Sequence, residues 1–401
     1  MVSILAITWN TQSVRLAESL SDETVQKNRE SPLSSYSFHC QIPDFLPELL
    51  RRISEKRYSI LIFSFQEDAY PGSYFHSHLL CKELEPLNYT LLRRTRLIGL
   101  GVTTFKALSE CDIKARGLRT SIYALNELAS EIKASDFLLR REIGEISREH
   151  VCSTISTSSL MDFLLNFPVR LVRNKGATAS YLRIPRVGLL AIINVHLPFN
   201  AKSLLEATLK QNPMLRQNDV FAQNIHFNRI YEDFILNLPV RPDFVLLMGD
   251  LNYRLKMSPH EDLALQLSSP NNWNIDFFRH CYLNYDELRE QMAKGNIYAL
   301  EEGVNGQGPL FLPTCKLIKF RSPHEKFIFK IGTVHHRIPS WTDRILYQTF
   351  TLRPYKLICQ SYQRFDQGQT MSQSDHAMVI GEFEIVSTHS NPSSPVESEK
   401  S

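Results

Sequence analysis

Residues Val245–Arg254, VLLMGDLNYR, join an unbroken apolar run to a knot of polar groups. Consecutive apolar positions without polar alternation describe a strand covered on both faces, as in a sheet sandwiched between other layers. Where the run stops, Asp250 and Asn252 stand two residues apart, so in extended backbone both side chains point to one side. A carboxylate and an amide at the mouth of a buried strand suit activation of water. Taken alone, the same G-D-x-N string also reads as an ordinary Asp/Asn turn.

Similar runs lie on either side: Val2–Trp9, Tyr58–Phe65, Leu97–Phe105, Thr178–Ile184, Val187–Val195, Ile345–Phe350 and Ala377–Val386. Helical spacing of apolar residues is expected from Gly117 to about His150 and from Asn218 to Leu238. Strands alternating with helices favour an α/β layered fold. The polar stretch Val151–Ser159 reads as the end of an inserted helical segment, and the Ser/Pro/Glu-rich tail 387–401 as disordered. With no internal repeat and no interdomain linker, the expected division is one domain, 1–386, plus that tail.

The chain has 401 residues, 45 Lys+Arg against 42 Asp+Glu, a net charge of +3, and 43% hydrophobic residues, the balance of an ordinary globular protein. So even a balance argues against a dedicated nucleic-acid binder. Seven cysteines without a C-x-x-C pair read as reduced thiols in the cytoplasm. The start, MVSILAITWN, has no basic region of a secretory signal, and no apolar run reaches the ~18 residues of a membrane span. The end, SEKS, is no prenylation box and Val2 excludes myristoylation. Membrane contact is therefore expected to be transient and peripheral.

Other polar groups also interrupt or border apolar runs: Gln66-Glu67 in FSFQED, His196 in IINVHLPFN, and Asp375-His376 in SQSDHAMVI. Each alone fits a structural residue. Together Asn10, Glu67, His196, Asp250, Asn252, Asp343, Asp375 and His376 mostly sit where apolar runs stop or begin, and converging strand ends build α/β sites. Oxygen donors without Cys point to Mg²⁺ rather than structural zinc. Two histidines and several carboxylates near such an ion suit hydrolysis of a phosphate ester, and Arg173 and Lys175 of RNKGATA supply cations for it. A rival is the C-x5-R spacing of Cys315 and Arg321, as in cysteine-dependent phosphatases. The intervening Lys-Leu-Ile-Lys-Phe is bulky and glycine-free, a poor backbone nest for an anion.

An ordered series of motifs resembles the inositol polyphosphate 5-phosphatases: TWN (Thr8–Asn10), FQE (Phe65–Glu67), RNKGA (Arg173–Ala177), NVHL (Asn194–Leu197), GDLNYR (Gly249–Arg254), NYDEL (Asn284–Leu288), PTCK (Pro313–Lys316), RIPSWTDRILY (Arg337–Tyr347) and SDH (Ser374–His376). The resemblance runs from about Ile4 to Val386 and is poorest over roughly 107–168, which reads as a divergent, helical insertion. It implies a fold similar to DNase I and exonuclease III: an α/β four-layer sandwich of two stacked mixed β-sheets flanked by helices. It further implies Mg²⁺ held by Glu67 with Asn10 beside it and Asp375 in its outer shell. Asp250 would orient or deprotonate the attacking water, with Asn252 as its partner. His376, held by Asp343, and His196 would contact the scissile phosphate. Lys175, Asn174, Lys316, Arg337, Arg254 and Arg344 would hold other parts of the substrate, a phosphoinositide or soluble inositol polyphosphate, acted on by a monomer that binds no nucleic acid.

Three departures bear on specificity. Cys315 stands where the family often has Tyr, His335-His336 precede RIPSW where many members carry Lys or Arg, and the NKGA loop follows the long insertion. The first two weaken cationic recognition of a 4-phosphate. The stretch after His196, with Phe199, Lys202, Leu204 and Leu205, reads as a surface loop folding into a helix rather than as a membrane insert. A Mg²⁺ nuclease on the same fold would lack RIPSWTDRILY and PTCK. A silent phosphoinositide binder would be expected to have lost Glu67, Asp250 or His376, and all three are present.

Overall fold

The structure, a computed structural model, describes residues 1–12, 42–70, 75–101, 114–132, 154–156, 175–197, 219–256, 266–267, 270–319, 338–350, 354–366 and 370–388. Its strands are β1 Val2–Asn10, β2 Ile60–Tyr70, β3 Tyr89–Gly101, β4 Lys114–Leu125, β5 Thr154–Ser156, β6 Gly176–Ile184, β7 Gly188–His196, β8 Phe244–Asp250, β9 Glu301–Glu302, β10 Asp343–Thr349, β11 Tyr355–Phe365 and β12 Met378–Ser387. The main helices are α1 Leu46–Lys56, α2 Leu80–Leu84, α3 Asp219–Tyr231, α4 Ile275–Tyr285 and α5 Glu287–Ala293.

Two six-stranded sheets form, in the orders β11-β12-β1-β2-β4-β3 and β5-β6-β7-β8-β10-β9. Both are mixed, since β1 with β2 and β7 with β8 run parallel while the other pairs are antiparallel. Alternate residues of each central strand enter different cores. Ile4, Ala6, Ile60 and Ile62 face Leu190, Ile192, Leu246 and Ile345 between the sheets. Leu5, Ile7, Leu61 and Phe63 lie outward under Leu46, Leu49, Ile53, Leu80 and Leu84 of α1 and α2. Ala191, Ile193, Val245 and Leu247 lie outward under Phe227, Ile230 and Tyr231 of α3 and Leu288 of α5. Helix, sheet, sheet, helix is the expected DNase I-like sandwich. Burial on both faces explains why β1, β2, β7 and β8 read as unbroken apolar runs, each large side chain contributing about 1.5–3 kcal/mol.

Local chemistry sets the joints. Helix α1 begins with a proline in its first turn, buries Leu46, Leu49 and Ile53 on one face, and ends at Arg57, whose left-handed backbone (φ 48°) lets its N–H bond to the Ile53 carbonyl at 2.9 Å. Gly249 has φ +145°, and a Cβ there would lie 1.8 Å from the Val195 carbonyl oxygen, so glycine is what lets β8 approach β7 next to Asp250.

Three expectations are corrected. Residues 117–125, expected as the start of a helix, form most of β4, and among the described residues of that span 126–132 are helical. Leu118 and Ile122 are spaced like a helix face, but β4 lies between β2 and β3, so residues 117–124 are buried throughout, polar ones included. The polar break near 151–159 contains β5. β11 was not anticipated, because its alternating partly buried pattern belongs to an edge strand rather than an apolar run. Ser387 and Thr388, expected in the disordered tail, instead end β12 and its hydrogen bonding, with the Thr388 N–H donating to the Pro354 carbonyl at 2.8 Å. The rest of the expected insertion, residues 107–113, 133–153 and 157–168, the segment 198–218 with Phe199, Lys202, Leu204 and Leu205, and residues 389–401 lie outside the described residues.

Candidate active site

The topology gathers the polar strand ends at one mouth. β1 and β2 run parallel, and Asn10 pairs in register with Gln66, placing Glu67 beside it. β7 and β8 run parallel with His196 opposite Asp250. β10 runs antiparallel to β8, so its first residue, Asp343, is also opposite Asp250. β12 runs antiparallel to β1, which brings the preceding Asp375-His376 to the same end.

Asp250 is the hub. Its Oδ2 accepts a hydrogen bond from Asn10 Nδ2 at 2.9 Å and lies 3.2 Å from His196 Nε2, while its Oδ1 accepts the Asn252 N–H at 3.1 Å. Burial works against its charge, but the hydrogen bond with His196 and the charges of His376 and Lys175 prevail and hold the carboxyl below its ordinary range. Glu67, with a side chain 14% exposed, places Oε1 3.9 Å from the same His196 nitrogen, and Lys175 Nζ contacts that nitrogen as well. Asn252 has left-handed backbone (φ 56°), donates from Nδ2 to the Leu197 carbonyl at 2.8 Å, and accepts from Arg254 Nη2 at 3.0 Å.

The second pair is His376 with Asp343. His376 Nδ1 lies 2.8 Å from Asp343 Oδ2, which also accepts from the hydroxyls of Thr314 at 2.8 Å and Thr342 at 2.9 Å. Burial disfavours the charged ring, yet Asp343 and then Cys315 raise the His376 pKa well above the ordinary value. Asp375 is opposed by burial but lowered by His376 and by Lys316, whose Nζ is 2.9 Å away.

Of the expected substrate groups, Lys175, Lys316 and Arg254 reach this mouth. Arg254 Nη1 is 3.5 Å from Cys315 Sγ. Arg344 does not reach it: neighbouring residues on a strand face opposite ways, and its fully buried guanidinium is committed to Asp286 at 2.9 Å and Glu302 at 2.5 Å. Arg344 is therefore a structural cation that ties β10 to β9 and α5. Asn174, Arg337, the His335-His336 pair and Arg321 of the C-x5-R spacing lie outside the described residues. Cys315 itself is 2% exposed, with bridges to Ser340 and His376.

Sequence reading had given no role to Thr314, Thr342, Gln66 and Asn194. Gln66 Nε2 donates to Asn194 Oδ1 at 2.8 Å and to Thr8 Oγ1 at 3.0 Å, stapling the two sheets beneath Glu67. These residues lie inside the quoted motifs, but a hydroxyl or amide in a strand carries no sign of which partner it serves. The donor set fits a divalent cation. Carboxylate oxygens suit a hard cation: Glu67 Oε1 and Asp250 Oδ2 lie 3.9 and 3.2 Å from the same His196 nitrogen, and buried Asp343 Oδ1 and Asp375 Oδ1 have no hydrogen-bond partner among the described residues.

The chain is similar to phosphatidylinositol 3,4,5-trisphosphate 5-phosphatase 1 of Xenopus laevis, 25% identical over 241 residues, 59% of this chain and 21% of the relative. It is 30% identical over 112 residues, 28% of this chain and 9% of the relative, to polyphosphatidylinositol phosphatase INP53 of Saccharomyces cerevisiae. The chain thus spans about a fifth or less of the length of these relatives. The inositol polyphosphate 5-phosphatase domain of SPsynaptojanin, solved with inositol (1,4)-bisphosphate and calcium, shares the fold at a TM-score of 0.50 and 16% identity, covering 96% of this chain and 86% of that one. With residues 7–382 matching its model, the chain belongs to the endonuclease/exonuclease/phosphatase family 2.

Proposed function

We propose that this chain is a Mg²⁺-dependent phosphoric monoester hydrolase that removes the 5-phosphate of phosphoinositides and/or soluble inositol polyphosphates by direct in-line attack of water. The observation that carries the reading is the pair of carboxylate–histidine couples at one mouth: Asp250 with His196 at 3.2 Å and Asp343 with His376 at 2.8 Å. The named activities of the sequence relatives support the substrate class.

Glu67, with Asn10 beside it and Asp375 outside, would hold Mg²⁺, which supplies Lewis-acid stabilisation of charge on the phosphoryl and leaving oxygens. Asp250, kept ionised at neutral pH, accepts a hydrogen bond from the attacking water. A carboxylate held below its ordinary range is a weak base, so orientation and electrostatics dominate its contribution. Asn10 and Asn252 fix that carboxylate by one hydrogen bond to each oxygen. His376 remains protonated, its Nδ1–H directed to Asp343, leaving Nε2–H to donate to a phosphate oxygen. Lys175, Lys316, which also pairs with Asp375, and Arg254 would hold the other phosphates.

The same reading places the protein in the cytoplasm, acting as a monomer at membrane surfaces and not on nucleic acid. Among the described residues Cys81, Cys281, Cys315 and Cys359 are free thiols, and no helix is long and apolar enough to cross a membrane. Phosphate release from 4,5-bisphosphorylated, 3,4,5-trisphosphorylated and soluble inositols, with Mg²⁺ and with EDTA, tests the function. Metal-dependent release of the 5-phosphate is expected, with reduced dependence on a 4-phosphate because Cys315 offers neither the hydroxyl nor the aromatic wall of a Tyr. Release that survives EDTA and stops on thiol alkylation would return the Cys315 mechanism, and plasmid nicking without inositide hydrolysis would make the chain a nuclease.

A further inference from the structure

Glu67 sits on a β-bulge. Phe65 pairs with Arg119 and Asp68 with Gly117, so Gln66 and Glu67 on β2 face the single residue Leu118 on β4. The bulge puts Glu67 in left-handed backbone, φ 52°, a conformation that costs free energy for a residue with a Cβ and persists only where its surroundings over-determine it. On one side, the Thr11 hydroxyl lies 3.2 and 3.1 Å from the Gln66 and Glu67 carbonyls, and the Thr11 N–H donates to Gln66 at 2.9 Å. From the second sheet, Asn194 Nδ2 donates to the Phe65 and Arg119 carbonyls at 3.2 and 3.1 Å.

One further tie crosses the bulge. Asp68 follows it and is 5% exposed; Arg119, the partner of the residue before it, is 8% exposed; Arg119 Nε lies 3.1 Å from Asp68 Oδ2. The pair is thus a diagonal brace from the far side of the bulge back to the near side. A buried ion pair is a poor source of stability compared with apolar residues of the same volume, but the attraction between two buried charges can favour one geometry among several.

We propose that the Asp68–Arg119 pair is a positioning device that aims the Glu67 carboxylate at a divalent cation, an inference that rests on the reading of Glu67 as a metal ligand. Both residues act through the backbone of the residue between Gln66 and Asp68, as outer-sphere partners act on metal ligands elsewhere.

The test is Mn²⁺ binding to the full chain without substrate, read from the paramagnetic resonance signal of free Mn²⁺, beside melting in EDTA. Glu67→Gln is expected to lose binding. Asp68→Asn and Arg119→Gln are each expected to weaken it about 10–100-fold. The double variant should be no weaker than either single one, because the two residues act as one brace. The double variant removes both members of this pair together, so it keeps the test open if a single variant does not fold. Affinity within about twofold of wild type in Asp68→Asn and in the double variant, with binding lost in Glu67→Gln, overturns the brace and leaves the metal reading standing. Undiminished binding in Glu67→Gln overturns both.

Discussion

His376 Nδ1 lies 2.8 Å from Asp343 Oδ2, and that oxygen simultaneously accepts from two threonine hydroxyls, so the carboxylate is locked and the ring is held in one orientation. Both residues are buried, which makes the pair's charge state a property of the fold rather than of the solvent.

Replacing Asp343 by Asn removes the charge that keeps His376 protonated. The His376 pKa then falls from its raised position, so the alkaline limb of kcat moves to lower pH and kcat at pH 7.5 drops on the order of 10²–10³-fold, as for loss of a charge-stabilising group. A kcat–pH profile superimposable on wild type would contradict this role for the pair.

In the proposed mechanism, Asp250→Ala leaves the cations at the mouth in place and removes the acceptor for the attacking water. Turnover is expected to fall at least about 10³-fold while vesicle or soluble-headgroup binding changes by less than about fivefold, a kcat effect rather than a KM effect. Binding isotherms beside single-turnover rates distinguish this from simple unfolding.

Arg344→Met would leave Asp286 and Glu302 buried without their cation. Loss of one partner from a buried pair costs about 3–5 kcal/mol, and two carboxylates are stranded here, so urea unfolding should shift by at least that amount. Adding Asp286→Asn and Glu302→Gln should recover much of it. A variant as stable as wild type would mean that Arg344 is not the structural cation described.

Glu287 has its pKa pushed by burial from the ordinary 4.5 to about 7, against the Arg254 N–H that donates to Oε2 at 2.8 Å. The folded state therefore prefers the protonated acid. Its contribution to stability is full below about pH 4.5 and is lost as pH rises through 7, on the order of 3 kcal/mol across that window. Glu287→Gln should flatten this part of the stability–pH curve, measured by denaturation midpoints at fixed ionic strength.

Much of the fold was readable because β1, β2, β7 and β8 are covered on both faces, and that condition alone writes unbroken apolar runs into a sequence. β4 was not readable. Arg119, Thr120 and Ser121 are buried with partners supplied by Asp68, Ser64, Asn194 and His76, none of them near in sequence. The site shows the same split. Asp250, His196, Glu67, Asp343 and His376 lie beside apolar runs, whereas the Arg344 side chain belongs to the opposite face of β10 from Asp343, a difference of one residue in register.

By itself the sequence determined the layered α/β class and which polar residues could meet, because burial on two faces and the order of the motifs are local properties of the chain. Only the tertiary structure decided which carboxylate serves which histidine, that the Arg344 guanidinium is buried against Asp286 and Glu302, and that Glu67 rides a bulge crossed by the Asp68–Arg119 pair. Those outcomes depend on strand register and sheet stacking between residues distant in the chain, from 33 positions for Asp343 and His376 to 240 for Asn10 and Asp250, and no local pattern encodes such a distance.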